Sequence, residues 1–425
     1  MMQIINDLTP LNRVFCSSDY DKSIDYLCNI LPFKIHSFTP DQEHNGWVIP
    51  PKWDVEEAKI MMDGKVIYDA TEHPLRLISL SLPFEGRVSS EELKKHLHYD
   101  VRYEDAVPYH FRHLYRSWER DWGFCVPKTF YDSLKPGEYE IVIKTKESEG
   151  ELKVLEYNKR GKLDETILFA SHLDHPGMSN DDLAGCAVGV ELFRELSKME
   201  TKFSYKLLLH QEIIGAEYYL AFLEPKFRDK LIEGMFLEML GSNTQLGIQS
   251  AVQGMTDIEY YLKDVVVKHN IPHRKKQYGE IVVNGEYIFA GYGIPISSFS
   301  RYPYPEYHTD KDNPNIIYSA SLIESLNLLL EAIKLMEKSP IVKKKFKGTI
   351  CTSNPKYGLY VDPGQASFGW KDDEQEKKIR KLMELLPSIN SPVNVERLSS
   401  SYSLDKNMVL DYLKKWELKA LIDII

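Results

Sequence analysis

Ile167-Leu168-Phe169-Ala170-Ser171-His172-Leu173-Asp174-His175-Pro176-Gly177 begins as an apolar run and ends in two imidazoles and a carboxylate. Such a short run reads as a strand buried in a central sheet. Asn180-Asp181-Asp182-Leu183-Ala184-Gly185 then opens a helical pattern that runs from Leu183 to Leu196. The same order recurs along the chain. Tyr139 to Lys144, Glu151 to Tyr157, Lys206 to His210 and Met235 to Leu240 read as strands, and Ala216 to Phe222 and Tyr318 to Met336 as helices. This alternation predicts an α/β fold: a mostly parallel central sheet with helices on both faces. Ligands bind such sheets at the carboxyl ends of the strands.

That is where the chemistry-bearing residues fall. His172 and Asp174 are two apart, so an extended backbone points them to one side; a carboxylate beside a metal-bound imidazole orients its ring. Asp181 and Asp182 open the helix, where one can cap while the other faces a site. Leu207-Leu208-Leu209-His210-Gln211-Glu212 runs from apolar to acidic. Glu238 stands alone in an apolar strand, and a buried carboxylate is costly unless paired or metal-bound. Pro305-Glu306-Tyr307-His308-Thr309-Asp310 follows a strand expected over Ile294 to Phe299. Each element alone is ordinary. Together, histidines and carboxylates without sulfur suit a catalytic zinc site, and two zincs roughly 3.5–4 Å apart would activate a water near neutral pH.

The flanks have a different texture. Residues 10 to 32 read as helical. From His44 to about Pro108, short apolar segments (Gly46 to Ile49, Lys65 to Tyr68, Leu75 to Leu80) lie between Asp63-Gly64, Pro74 and Glu85-Gly86, which predicts a small β-rich unit followed by a helix from Ser89 to His98. After a lysine-rich stretch (Lys343, Lys344, Lys345, Lys347), read as a solvated linker, helices are expected over Glu374 to Leu386 and Met408 to Ile425.

The chain has 425 residues with a formal charge of -10, and an acidic balance argues against nucleic acid or an anionic membrane as main partner. Residues 356–425 carry 11 Lys+Arg and 11 Asp+Glu, so nothing there grips phosphate by itself. No apolar stretch is long enough to span a membrane. Five scattered cysteines without a C-x-x-C pair suit a reducing, cytoplasmic compartment. No G-x-S-x-G, phosphate-binding loop or G-x-G-x-x-G occurs.

In the order of its motifs the chain resembles the di-zinc aminopeptidase family, which includes bacterial leucine-type aminopeptidases and, as a relative, glutaminyl cyclase. That resemblance spans about residues 138–340 and implies a phosphorylase/hydrolase-like fold. It also implies a peptide or small amide substrate, and one or two zinc ions held by His172, Asp181, Glu238 and His308. Asp174 would be the orienter and Glu212 the acid of the third motif. Trp47 to Trp53, Trp122-Gly123-Phe124-Cys125, Asn180 to Gly185 and Glu306 to Thr309 further resemble a bacterial aminopeptidase-like branch with an inserted small domain and a C-terminal winged helix. The organisation implied is a discontinuous catalytic domain over 1–41 and 126–345, an inserted β-rich domain over 42–125, and a winged-helix-like domain over 352–425.

One departure bears on activity. The family pairs two glutamates where this chain has Gln211-Glu212, and Gln cannot accept a proton. Alignment on Gly215 favours Glu212 as general base; as a zinc ligand it would leave hydrolysis without its usual proton shuttle, a loss of ~10²–10⁴-fold. Two functions therefore stay open: a zinc exopeptidase, or an impaired metal-site protein acting as a ligand-binding or regulatory module. Arg301 and Tyr307 are candidates for substrate contact. The sequence leaves a homo-oligomer open.

Overall fold

The computed structural model describes residues 1–281, 285–360, 381–382, 385, 389 and 392–425. Eight strands form the main sheet, in the order Lys34–Phe38, Leu152–Lys159, Ser204–His210, Thr166–His172, Leu231–Glu238, Ile296–Ser300, Leu246–Gln249, His273–Lys276. The four in the middle pair in parallel. Antiparallel pairing flanks them, through Leu152–Lys159 on one side and Leu246–Gln249 on the other. Every residue of Thr166–His172 and Ser204–His210 is buried, as expected of central strands with both faces covered. The fold is the mixed α/β architecture with a mostly parallel central sheet anticipated above.

Parallel register brings the strand ends together. His210 pairs with His172 and Glu238 with Ser300, so the residues that follow leave the sheet along one edge. Helix Gly185–Leu196 starts against the neighbouring strand so closely that a Cβ on Gly185 would lie 2.2 Å from the Leu237 carbonyl oxygen. Only glycine fits there.

A second, antiparallel sheet has the order Lys65–Asp69, Lys52–Met62, Glu138–Ser148, Phe84–Ser89. Its two long strands alternate, burying Ala58 and Ile60 opposite Ile143 and Ile141, the period-2 pattern of a sheet with one face inward. Tyr139 to Lys144 therefore extends this sheet and not the main one, past the boundary expected at residue 125. Leu75 to Leu80 and Gly46 to Ile49 are not strands. Pro74 starts a short 3₁₀ turn, and Trp47 and Leu77 make only single bridges. Helix Ser18–Cys28, capped by Ser17 accepting from the Tyr20 N–H, replaces the longer helix read over 10 to 32.

The chain separates into two compact units: Met1–Gly254 with Asn270–Leu329, and Met255–His269 with Leu330–Ile425. The first holds both sheets. In the second, Ile341–Lys344 is the centre of a three-stranded antiparallel sheet between Val393–Asn394 and Ile422–Ile424. Of the lysines read as a linker, Lys343 and Lys344 are thus part of a strand, and Lys345, just beyond it, is ion-paired to Asp423. Helix Lys406–Glu417 stops short of the expected Ile425 because Ala420 turns left-handed and the β-branched end becomes a strand. Helix Asp257–Lys268 joins this unit, where Asp257 accepts from the Asn394 N–H at 2.8 Å and pairs with Arg397. Leu398, Val409, Leu413, Trp416 and Ile422 form its core. The helix expected over Glu374 to Leu386 lies outside the described residues, apart from a few isolated positions.

A candidate metal centre at the sheet edge

Asp181 is the hub of the site. Its Oδ1 lies 3.3 Å from His172 Nε2, and its Oδ2 lies 3.1 Å from His308 Nε2 and 3.8 Å from His175 Nε2. Asp174 stands behind the first two rings, 3.7 Å from His172 Nδ1 and 3.4 Å from His175 Nδ1, and accepts the Glu212 N–H at 2.7 Å. The donor atoms fall into two groups, His172–Asp174–His175 and His175–Asp181–His308, each within 4.8 Å of one another.

Buried residues outside the group hold it. Asp312 accepts the N–H groups of Ser179, Asn180 and Asp181 and the hydroxyl of Tyr304, which fixes the loop carrying Asp181. Asp182 turns the other way. It accepts from Ser171 Oγ and from the N–H groups of Met239 and Gly185, so it caps the helix while Asp181 faces the histidines. Arg13, fully buried, donates to the carbonyls of Leu173, Leu8 and Met178 and clamps the loop that carries His172, Asp174 and His175. Burial brings the Arg13 guanidinium down to about 10 and pushes the Asp182 and Asp312 carboxyls up to about 7. His172 moves the opposite way: burial disfavours its charge, but Asp181 and Asp182 outweigh that and hold it well above the ordinary value.

The donor set fits a cation. Both ring nitrogens of His172, His175 Nδ1, Asp181 Oδ2, Asp174 Oδ2 and His308 Nε2 are buried without a hydrogen bond of good geometry. Buried polar atoms are nearly always satisfied, and orphans converging on one spot are what a bound metal would occupy. Imidazole and carboxylate donors without sulfur suit zinc among the common ions.

Of the residues singled out by sequence, His172, Asp174, Asp181 and His308 come together. Glu238 ends its strand on the same edge with both oxygens buried and unpartnered. Burial and the nearby Glu286 push its carboxyl well above the ordinary range, but it is not part of either donor group. Glu212 reaches the rim, its Oε2 3.5 Å from His175 Nε2 with the side chain 18% exposed. Gln211 points away, donating to the Phe15 carbonyl at 3.0 Å. Tyr307 stacks on His308 with ring centroids 3.8 Å apart. The Arg301 guanidinium donates to the Thr244 carbonyl and pairs with Glu324, contacts that hold the chain at the end of its strand.

Sequence reading gave His175 no role, although it lies within the quoted stretch. A second histidine three residues after the first, before a Pro-Gly turn, was the available signal. Tyr109 and Phe111 were also missed. The 106–111 segment bonds to the loop of His308, with the Tyr109 N–H donating to His308 O and the Asp310 N–H to Val107 O. This brings the Tyr109 ring to 5.1 Å from His175 and the Phe111 ring to 5.6 Å from His308. No local pattern announces a pairing over that sequence distance.

Known proteins share this arrangement of chain. A provisionally named polysaccharide biosynthesis protein with an aminopeptidase-like domain, from Clostridium acetobutylicum, is 27% identical over 353 residues, covering 79% of this chain and 77% of its own. A crystal structure of a protein from the same species, provisionally described as a peptidase, superposes with a TM-score of 0.75 at 22% identity over 100% of this chain and 96% of that one. A zinc aminopeptidase from Bacillus subtilis superposes with a TM-score of 0.59 at 14% identity over 79% of this chain and 93% of that one. At such identities the structural likenesses establish the fold alone. Residues 2–339 match the family model described as Domain of unknown function (DUF4910), and the chain belongs to that family.

Proposed function

We propose that this chain is a zinc-dependent hydrolase of the aminopeptidase type, removing an N-terminal residue from a peptide or cleaving a related small amide. The carrying observation is the convergence of His172, His175, Asp181 and His308 at the carboxyl edge of the sheet with their donor atoms unpartnered. The zinc aminopeptidase among the structural neighbours supports the choice of ion. Bound zinc supplies Lewis acidity and lowers the pKa of a water it holds.

The chain's own residues do the rest. Asp181 would bridge, with His172, His175 and His308 as nitrogen ligands and the buried Glu238 completing the set. His175 offers a donor that compensates for the acid missing at Gln211. Asp174 accepts from the Glu212 backbone and so sets where that side chain stands. Glu212, partly open to solvent, is read as the general base that takes a proton from the attacking water and returns it to the leaving amine. Tyr307 fixes the His308 ring and faces incoming substrate, while Tyr109 and Phe111 wall off bulk water. The C-terminal unit is read as a winged-helix-like module that does not itself contact DNA.

The test is hydrolysis of aminoacyl-anilides and short peptides by the purified chain, with and without a chelator. Turnover that disappears on chelation and returns with zinc is expected. No turnover of any amide at saturating zinc would overturn the proposal.

A further inference from the structure

The segment that walls the metal centre has a second face. Tyr109 and Phe111 turn toward His175 and His308, whereas His110, between them, turns the other way, as alternation along an extended chain requires. There it meets His98, ring centroids 4.4 Å apart, and His113, at 5.2 Å. These three rings, with Arg112 and Arg116, line a cavity of about 260 Å³. One water needs ~10–15 Å³ of such space, so the cavity admits a sizeable ligand.

Its charge is unbalanced. Arg116 is paired with Glu119 at 3.5 Å, and His96, stacked on Trp122, lies 3.3 Å from Asp121 and 3.4 Å from Glu92. Arg112 has no ion-pair partner among the described residues, nor do His98, His110 and His113, and the Nδ1 atoms of His110 and His113 are buried without a hydrogen bond. Burial lowers the pKa of all three histidines. Neighbouring cations lower it further, Arg112 acting on both His98 and His110, which falls to about 3. Glu119 and Asp121 also line the cavity, but Glu119 is engaged by Arg116 and Asp121 lies against His96, which leaves Arg112 without a counter-charge of its own. The unpaired Arg112 favours an anion over a metal ion there.

We propose that the cavity lined by His98, His110, His113 and Arg112 is an anion-binding site for a phosphate group, separate from the metal centre and backing onto it through the 109–111 segment. Arg112 would grip the oxyanion through paired N–H donors, the geometry guanidinium offers to phosphate, while imidazole N–H groups donate from other directions.

Inorganic phosphate is the probe, added at millimolar concentration to the full chain while the histidine ring resonances are followed by NMR. The expected result is saturable movement of the His98, His110 and His113 signals, weakened at least about tenfold in affinity by Arg112→Ala. Because Arg112 is exposed, the variant should fold, and its unchanged zinc content separates this site from the metal centre. Phosphate that moves none of the three signals, or moves them equally in Arg112→Ala, overturns the proposal. So does a response to zinc at these histidines in place of phosphate, since it would make the cavity a metal site.

Discussion

Asp181 Oδ2 stands 3.1 Å from His308 Nε2, joining the start of one helix to a loop more than a hundred residues downstream. Between them run most strands of the main sheet, and only their parallel register makes the two meet. Asp181 also approaches His172 and His175, so its carboxylate is the one group shared by all the imidazoles. Asp181→Asn should therefore lower zinc affinity by ~10-fold or more, since ligand loss is at least as costly as losing an outer partner. Competition with a chromophoric chelator measures it, with an unchanged far-ultraviolet spectrum as control.

Glu212 is predicted to act on protons and not on the metal. Glu212→Gln keeps the shape but cannot accept a proton, so kcat should fall by ~10²–10⁴-fold while zinc content stays near that of the wild type. A parallel loss of zinc would make Glu212 a ligand instead.

Arg13 is a structural clamp whose loss should be felt at the site. Arg13→Met leaves the buried carbonyls of Leu173, His175 and Met178 without a donor, at ~1–3 kcal/mol for each group left unsatisfied. Urea denaturation should show a stability loss of about 3 kcal/mol or more, and zinc affinity should fall with it because the loop carrying His172 and His175 loses its anchor.

The main sheet also carries a buried ion pair, Glu156 with Lys206 at 2.8 Å, supported by His36 at 3.1 Å and Tyr219 at 2.6 Å. Burial pushes the Glu156 carboxyl up, but these partners outweigh it and hold the carboxyl well below its ordinary value of 4.5. A depressed acid pKa adds stability above the unfolded value and loses it as pH falls toward the folded one. Glu156→Gln should cost about 3–5 kcal/mol at neutral pH, because Lys206 stays buried and unpaired. The gap between wild type and variant should narrow as pH drops below about 4.5. Thermal melts across that range check the sign.

Much of this architecture was legible because its signals are local. Apolar runs such as Leu207 to Leu209 and Met235 to Leu237, alternating with helical patterns, read as buried strands, and polar residues at their ends mark the site edge. What depends on contacts between distant segments was not legible. Glu138–Ser148 joins the small sheet because its inward Ile141 and Ile143 pack opposite Ile60 and Ala58 of Lys52–Met62, and the alternation alone does not name the partner strand. Arg301 pairs with Glu324, a full helix turn into the following helix, a contact that no local pattern announces. His175 was in plain view but only the fold shows it turned toward Asp181.

Zinc stoichiometry tests the central claim most directly. Purified protein dialysed against micromolar zinc should retain one or two ions per chain, and a His172→Ala, His175→Ala double variant that still folds should retain none. Wild-type protein that emerges free of metal, or a double variant that binds as much as the wild type, would contradict the assignment of this cluster as a metal centre.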